Sequence, residues 1–107
     1  MKSVKLIVAY PQPKDASAFE KIYQQEHTPM AIANLHGKTK MVATKILQSP
    51  QGGPQFYRVA EVHFPSMEVL QQCAESAGGK ETLANAAKIS SGGPPVIMIA
   101  EEDTFIF

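Results

Sequence analysis

Tyr23-Gln24-Gln25-Glu26-His27-Thr28-Pro29-Met30-Ala31 sets two groups that can move protons, Glu26 and His27, side by side in an otherwise apolar helical pattern. Two residues later, Pro29 must disturb that helix. Counting about 100° per residue from Phe19 puts Phe19, Ile22, Tyr23 and Met30 on one stripe, with Glu26 inside it and His27 on its shoulder. A carboxylate on a buried stripe has to be paired, neutralised or wet. Pro29 offers no N–H to the Gln25 carbonyl and pushes Thr28 toward extended geometry, so the sequence predicts a helix that ends or kinks near His27. The imidazole would then lie at the negative end of the helix dipole, which favours its protonated form. The same residues also fit a plain helix end, with His27 as a cap and Glu26 in solvent.

Upstream, Val4, Leu6, Val8 and Tyr10 alternate with their neighbours at the period of a strand, and Pro11-Gln12-Pro13 stops it. Ser17 and Glu20 have the spacing of a capping box at the start of the helix, and Gly37 closes its last turns. Downstream, β-branched Val42, Thr44 and Ile46 mark a second strand from about Thr39 to Gln48. The turn cluster 49–54 leads to a third strand, Phe56 to Phe64, in which Arg58 alternates with Tyr57, Val59, Glu61 and His63. Ser66 then caps a second helix through Leu70 and Cys73, which Gly78-Gly79 breaks. A short third helix, Glu81 to Lys88, turns Leu83 and Ala87 inward, and Val96 to Ala100 is the last strand. Glu101-Glu102-Asp103 reads as an exposed acidic interruption before an apolar tail, Thr104 to Phe107.

This order is that of a ferredoxin-like α+β fold, βαββαβ, with both helical segments on one face of a four-stranded antiparallel sheet. The chain, 107 residues long, reads as one domain over 1–107 with one modest core. The other sheet face would carry Ile7, Val59, Ile97 and Ile99 or the alternate set, too apolar for water. A second copy can cover it, with Phe105 and Phe107 crossing onto the partner, so a homodimer is expected.

Ten basic residues balance ten acidic ones and are scattered, which leaves no footprint for nucleic acid or an anionic membrane. The single cysteine, Cys73, fits a reducing compartment and reads as a small buried hydrophobe. The apolar run Leu6 to Tyr10 is too short for a signal peptide core or a membrane span, so the cytoplasm is the expected location. No metal-ligand spacing and no glycine-rich phosphate loop occurs, and no cofactor is expected.

The strand ending in Tyr10-Pro11, the Phe19…Tyr23…Glu26-His27…Pro29 spacing, the hairpin before Phe56-Tyr57-Arg58-Val59-Ala60-Glu61 and the Ser66…Leu70 helix start together resemble the EthD family of dimeric α/β-barrel proteins. That family takes its name from bacterial ethyl tert-butyl ether degradation. The resemblance implies the ferredoxin-like fold, a dimeric barrel enclosing a pocket, and a role beside an ether-oxidising cytochrome P450 system or in xenobiotic catabolism. Neighbouring barrel families act on aromatic polyketides, quinols or lactones, often without a cofactor.

The candidate catalytic residues are His27, Glu26, Glu61 and His63. Adjacent helical residues do not face each other, so the orienting partner of His27 is expected from the sheet, where Glu61 and His63 share a face. The candidate substrate-binding residues are Tyr10, Tyr23, Tyr57, Arg58 and Met30, with Arg58 holding either an anionic substrate or an internal carboxylate. Three functions fit: a cofactor-free enzyme in which His27 moves a proton during isomerisation, dehydration or decarboxylation of an apolar or aromatic compound; a non-catalytic carrier or accessory protein; and a cofactor-free or haem-binding monooxygenase-like barrel.

Overall fold

The computed structural model describes residues 3–107. Strand β1 (Ser3–Pro11) leads to helix α1 (Ala16–Ile22), a π-helical turn (Tyr23–His27) and helix α2 (Thr28–Asn34). Strands β2 (Lys40–Lys45) and β3 (Phe56–Phe64) follow, then helices α3 (Met67–Glu75) and α4 (Ala77–Ile89), then strand β4 (Val96–Glu102). The four strands lie in the order β2-β3-β1-β4, and the paired neighbours all run antiparallel. This is the ferredoxin-like α+β arrangement expected from the order of elements.

The helices bury one face of the sheet. Val4, Leu6, Val8 and Tyr10 of β1 lie with Val62 and Phe64 of β3 in a core shared with Phe19, Tyr23, Leu70 and Ile89. Each such large side chain taken from water contributes about 1.5–3 kcal/mol. Tyr10 and Phe19 meet edge to face with ring centroids 5.3 Å apart, the geometry that ring quadrupoles favour.

The helix around His27 departs from the expected end. Pro29 has no N–H, yet the chain continues in helical geometry because the preceding turn widens: the Thr28 N–H donates to the Tyr23 carbonyl, five residues back. A π turn advances less angle per residue than an α turn, so the later residues are rotated. Glu26 is swung off the apolar stripe to an exposed position, and His27 moves onto it beside Tyr23. The helix also starts differently from the Ser17–Glu20 box. Asp15 is the cap, its Oδ1 accepting from the Ala18 N–H at 3.1 Å, and Ser17 is exposed.

Between α3 and α4 the break falls at Ser76, whose extended ψ of 159° turns the chain. Ser76 Oγ accepts from the Gly79 N–H at 3.0 Å and donates to the Cys73 carbonyl at 2.6 Å, joining one helix end to the next start. Gly78 and Gly79 therefore open α4 rather than break a helix. A Cβ on Gly79 would fall 1.9 Å from the Cys73 carbonyl oxygen, so a side chain there has no room. Starting earlier than predicted, α4 buries Thr82, Ala86 and Ile89 and leaves Ala87 exposed. Cys73 is buried, as its apolar setting suggested.

The second strand is shorter than Thr39–Gln48, and β4 extends through Glu101 and Glu102 instead of stopping before them. In β3 a bulge spoils the simple alternation: Tyr10 pairs with Arg58 and Pro11 with Phe56, so Tyr57 is skipped. Tyr57 thereby leaves the face of Val59, Glu61 and His63 and meets Phe19 at 5.8 Å, while Arg58 also reaches α1.

The pairing also sorts the apolar residues of the sheet. Ile7 lies opposite Met98 and Glu61 and shares the helix-free face with Val59, whereas Ile97 and Ile99, paired with Val8 and Leu6, point to the other face. Both faces of β4 are nevertheless open, with Val96, Ile97, Met98 and Ile99 between 40% and 54% exposed. On the helix-free face Lys5 Nζ binds Glu61 Oε2 at 2.8 Å and Glu102 Oε2 at 3.3 Å, and His63 Nδ1 lies 3.2 Å from Glu102 Oε1. Phe105, Ile106 and Phe107 follow β4 fully in the open.

Candidate active site

A cavity lies between the π turn, α2, α4 and the sheet. Its floor is Tyr10, which is completely buried, and His27, which is 7% exposed. Tyr10 arrives at the end of β1 and His27 from the π turn, and each depends on the other for a partner: the hydroxyl and Nε2 are 3.1 Å apart. The other ring nitrogen, Nδ1, is 2.8 Å from Asn85 Oδ1 on α4. Because that amide oxygen only accepts, Nδ1 carries the proton, and Nε2 accepts from the Tyr10 O–H.

The electrostatics agree with a neutral relay. Burial pushes the His27 imidazole below its ordinary value of 6.5, against a smaller upward pull from the Asn85 hydrogen bond. Burial also raises the Tyr10 phenol, with a further contribution from Tyr23. Both groups are therefore uncharged at neutral pH, contrary to the protonated imidazole expected at a helix end. The helix does not end there, so no row of free carbonyls faces the ring.

Tyr23 forms the wall behind the imidazole, stacked on it with centroids 5.8 Å apart and planes inclined by 22°. On Tyr23 in turn lies the Arg58 guanidinium, 5.0 Å from the ring centroid. Nε and Nη2 of Arg58 donate to the two carboxylate oxygens of Glu20, each at 2.8 Å. This bidentate pair holds the Glu20 carboxyl below the usual carboxylate range. Of the two roles considered for Arg58, the internal carboxylate is the one the geometry supplies.

Apart from Thr28 and Thr82, the remaining walls are apolar. Four alanines, Ala31, Ala43, Ala60 and Ala86, come from four different elements and leave space where larger side chains would meet. The cavity measures about 40 Å³, and its exposed lining residues, Val42 and Ala43, lie on β2.

Of the residues singled out in the sequence, the fold brings together His27, Tyr10 and Tyr23. Met30, Tyr57 and Arg58 do not line the cavity. Glu26 is exposed, and Glu61 and His63 lie on the helix-free face of the sheet. The expected sheet-borne partner of His27 is thus replaced by Asn85. Its signal is a polar residue at helical spacing with Thr82, Ala86 and Ile89, hidden because the sequence turns Leu83 and Ala87 inward instead. Among the described residues, no group of three or more His, Cys, Asp or Glu side chains is arranged to hold a metal ion. None of the described helices is long and apolar enough to cross a membrane.

The EthD domain matches residues 11–90, a stretch that contains the π turn, Arg58 and Asn85. The chain belongs to the EthD family. An EthD family protein from Bacillus halodurans C-125 has a solved structure that is 36% identical, covering 96% of this chain and 100% of that one, with a TM-score of 0.86. An uncharacterized 11.0 kDa protein from the thcB-thcC intergenic region of Rhodococcus erythropolis is 26% identical over 92% of this EthD chain and 94% of its own length. At 12% identity, a dimeric protein of unknown function and ferredoxin-like fold from Bacteroides fragilis NCTC 9343 shares the fold, with a TM-score of 0.65 over 94% of this chain and 96% of that one.

A buried imidazole whose folded pKa lies below its unfolded value binds fewer protons folded than unfolded in the interval between the two. Stability should therefore fall as pH drops from about 6.5 toward the lowered folded value, by about 1.4 kcal/mol per unit of depression. Urea unfolding across this interval should show a smaller slope with pH in His27→Gln than in the parent protein. Equal slopes would mean that His27 is not held neutral by burial.

Proposed function

We propose that this EthD protein is a cofactor-independent enzyme that degrades or modifies small apolar molecules, aromatic or ether-derived, in the cytoplasm. The observation that carries the reading is the Tyr10 O–H donating to His27 Nε2 at the floor of an apolar cavity.

Substrate loses a proton from an O–H, or from a C–H beside a carbonyl, to the Tyr10 oxygen while the Tyr10 proton moves to His27 Nε2. The concerted shift avoids a free phenolate, which burial makes costly. Asn85 Oδ1 holds the Nδ1–H throughout, so the imidazolium keeps its orientation. Since burial disfavours the charged ring, it returns the proton readily, by the same path, to a different atom of the substrate. Taking a proton from one atom and delivering it to another is the chemistry of isomerisation or elimination, and the steps need neither an oxidant nor a metal.

The protein is further proposed to work as a homodimer through the helix-free face of the sheet. Ile7, Val59 and Met98 on that face support this, because a single chain leaves the first two half-buried and Met98 exposed. The dimeric ferredoxin-like relative is in keeping with it.

Native mass spectrometry of gently purified protein, followed by identification of anything released, supplies the compound for turnover assays. With that compound, Tyr10→Phe and His27→Ala should each lower kcat by about 10²–10⁴-fold while affinity changes by no more than about 10-fold. Turnover that survives both substitutions would leave a carrier or accessory role. Sedimentation equilibrium at micromolar concentration should give about twice the chain mass of 11.6 kDa. A mass of one chain would remove the dimer.

A further inference from the structure

The lining of the Tyr10–His27 cavity contains no Lys, Arg, Asp or Glu among the described residues. Its polar members are Tyr10, Tyr23, His27, Thr28 and Thr82, and the Thr82 hydroxyl is already committed to the Gly78 carbonyl at 2.8 Å. Three cations on the neighbouring elements have partners of their own, among them Lys45, which lies 5.8 Å from the Tyr57 ring centroid. Arg58 spends its guanidinium on Glu20 and on the Ala43 carbonyl, and Lys38 donates to the carbonyls of Ile32 and Leu35. An anionic group brought to the floor would lose its hydration and find no counter-charge. A neutral oxygen loses much less: a hydroxyl can donate to the Tyr10 oxygen while the Tyr10 O–H stays on His27 Nε2, and a carbonyl can take that O–H in place of Nε2, at the polar corner of an otherwise hydrocarbon wall.

We propose that the cavity takes uncharged ligands bearing one hydrogen-bonding oxygen, a ketone, aldehyde or alcohol on a compact hydrocarbon frame, and rejects carboxylates and phosphates. This rests on the reading of the cavity as the substrate site, and it narrows that reading. Among the reactions that fit the sequence, decarboxylation of a free acid drops out, and neutral isomerisation or elimination remains. The Tyr10–His27 corner draws the oxygen to the floor, with the bulk of a larger ligand toward the exposed lining residues Val42 and Ala43.

A matched series on one ring tests this: cyclohexanone, cyclohexanol and cyclohexanecarboxylate, titrated into the full-length protein and followed by the NMR shifts of the His27 ring and the Ala86 methyl. The ketone and the alcohol should shift both signals, and the carboxylate should bind at least about 100-fold more weakly. Tyr10→Phe should weaken the ketone by about 10-fold. Ala43→Leu, an exposed position that tolerates a larger side chain, should weaken it by crowding the β2 side of the cavity. Carboxylate binding comparable to that of the ketone, or no ketone or alcohol binding at millimolar concentration, would overturn the proposal. Deuterium exchange into the carbon beside the carbonyl of bound cyclohexanone reports separately on proton transfer. Ketone binding without exchange would keep the ligand class and refute the relay as a base, whereas exchange together with strong carboxylate binding would do the reverse.

Discussion

A missing backbone N–H at Pro29 is the constraint that shapes the site. An α-helix through this position would orphan the Gln25 carbonyl and drive the proline ring into the previous turn. The chain instead inserts a π turn, closed by the Thr28 N–H on the Tyr23 carbonyl. That one change of helical pitch turns His27 inward and Glu26 outward, two neighbours that a regular helix would have ranked the other way. The widened turn re-aims one side chain while the helices on either side continue.

Once inward, the imidazole is held on three sides. Asn85 fixes the proton on Nδ1, Tyr10 engages Nε2, and Tyr23 covers the ring face. The Arg58–Glu20 pair then acts at one remove, by pinning Tyr23 from behind. Charge is kept out of the cavity and spent around it. The two faces of the sheet divide the labour: the helix side is apolar with a single polar floor, and the other side carries the Lys5–Glu61–His63–Glu102 cluster amid exposed hydrophobes. His63, only 4% exposed, gains its partners on that second face, apart from the Tyr10–His27 pair on the first.

The fold was legible because it rests on features that sequence displays directly: alternation in β1 and β3, a helical stripe from Phe19 to Tyr23, and turn residues between. Family membership was legible for the same reason, through spacings that survive without the structure. The site was legible only in part. His27, Tyr10 and Tyr23 could be named, since each is a chemically expensive residue in an apolar pattern. Their neighbours could not, because two local irregularities each shift the apparent face of the adjoining residues. The π turn misdirects any constant-angle count at Glu26, and the bulge at Tyr57 moves that residue off the face of Glu61 and His63. Asn85 was hidden for a different reason. The sequence turns Leu83 and Ala87 inward, whereas α4 buries Thr82, Ala86 and Ile89 and so brings Asn85 toward the π turn.

The central claim is a neutral His27 with its proton on Nδ1 and a free lone pair on Nε2 directed at Tyr10. Long-range ¹⁵N–¹H correlation of the histidine rings, assigned with His27→Gln, observes this directly. At neutral pH the account predicts a pyrrole-type Nδ1, a pyridine-type Nε2, and an imidazolium that forms only below pH 6.5. A proton on Nε2, or a ring that titrates at or above that ordinary value, would contradict it.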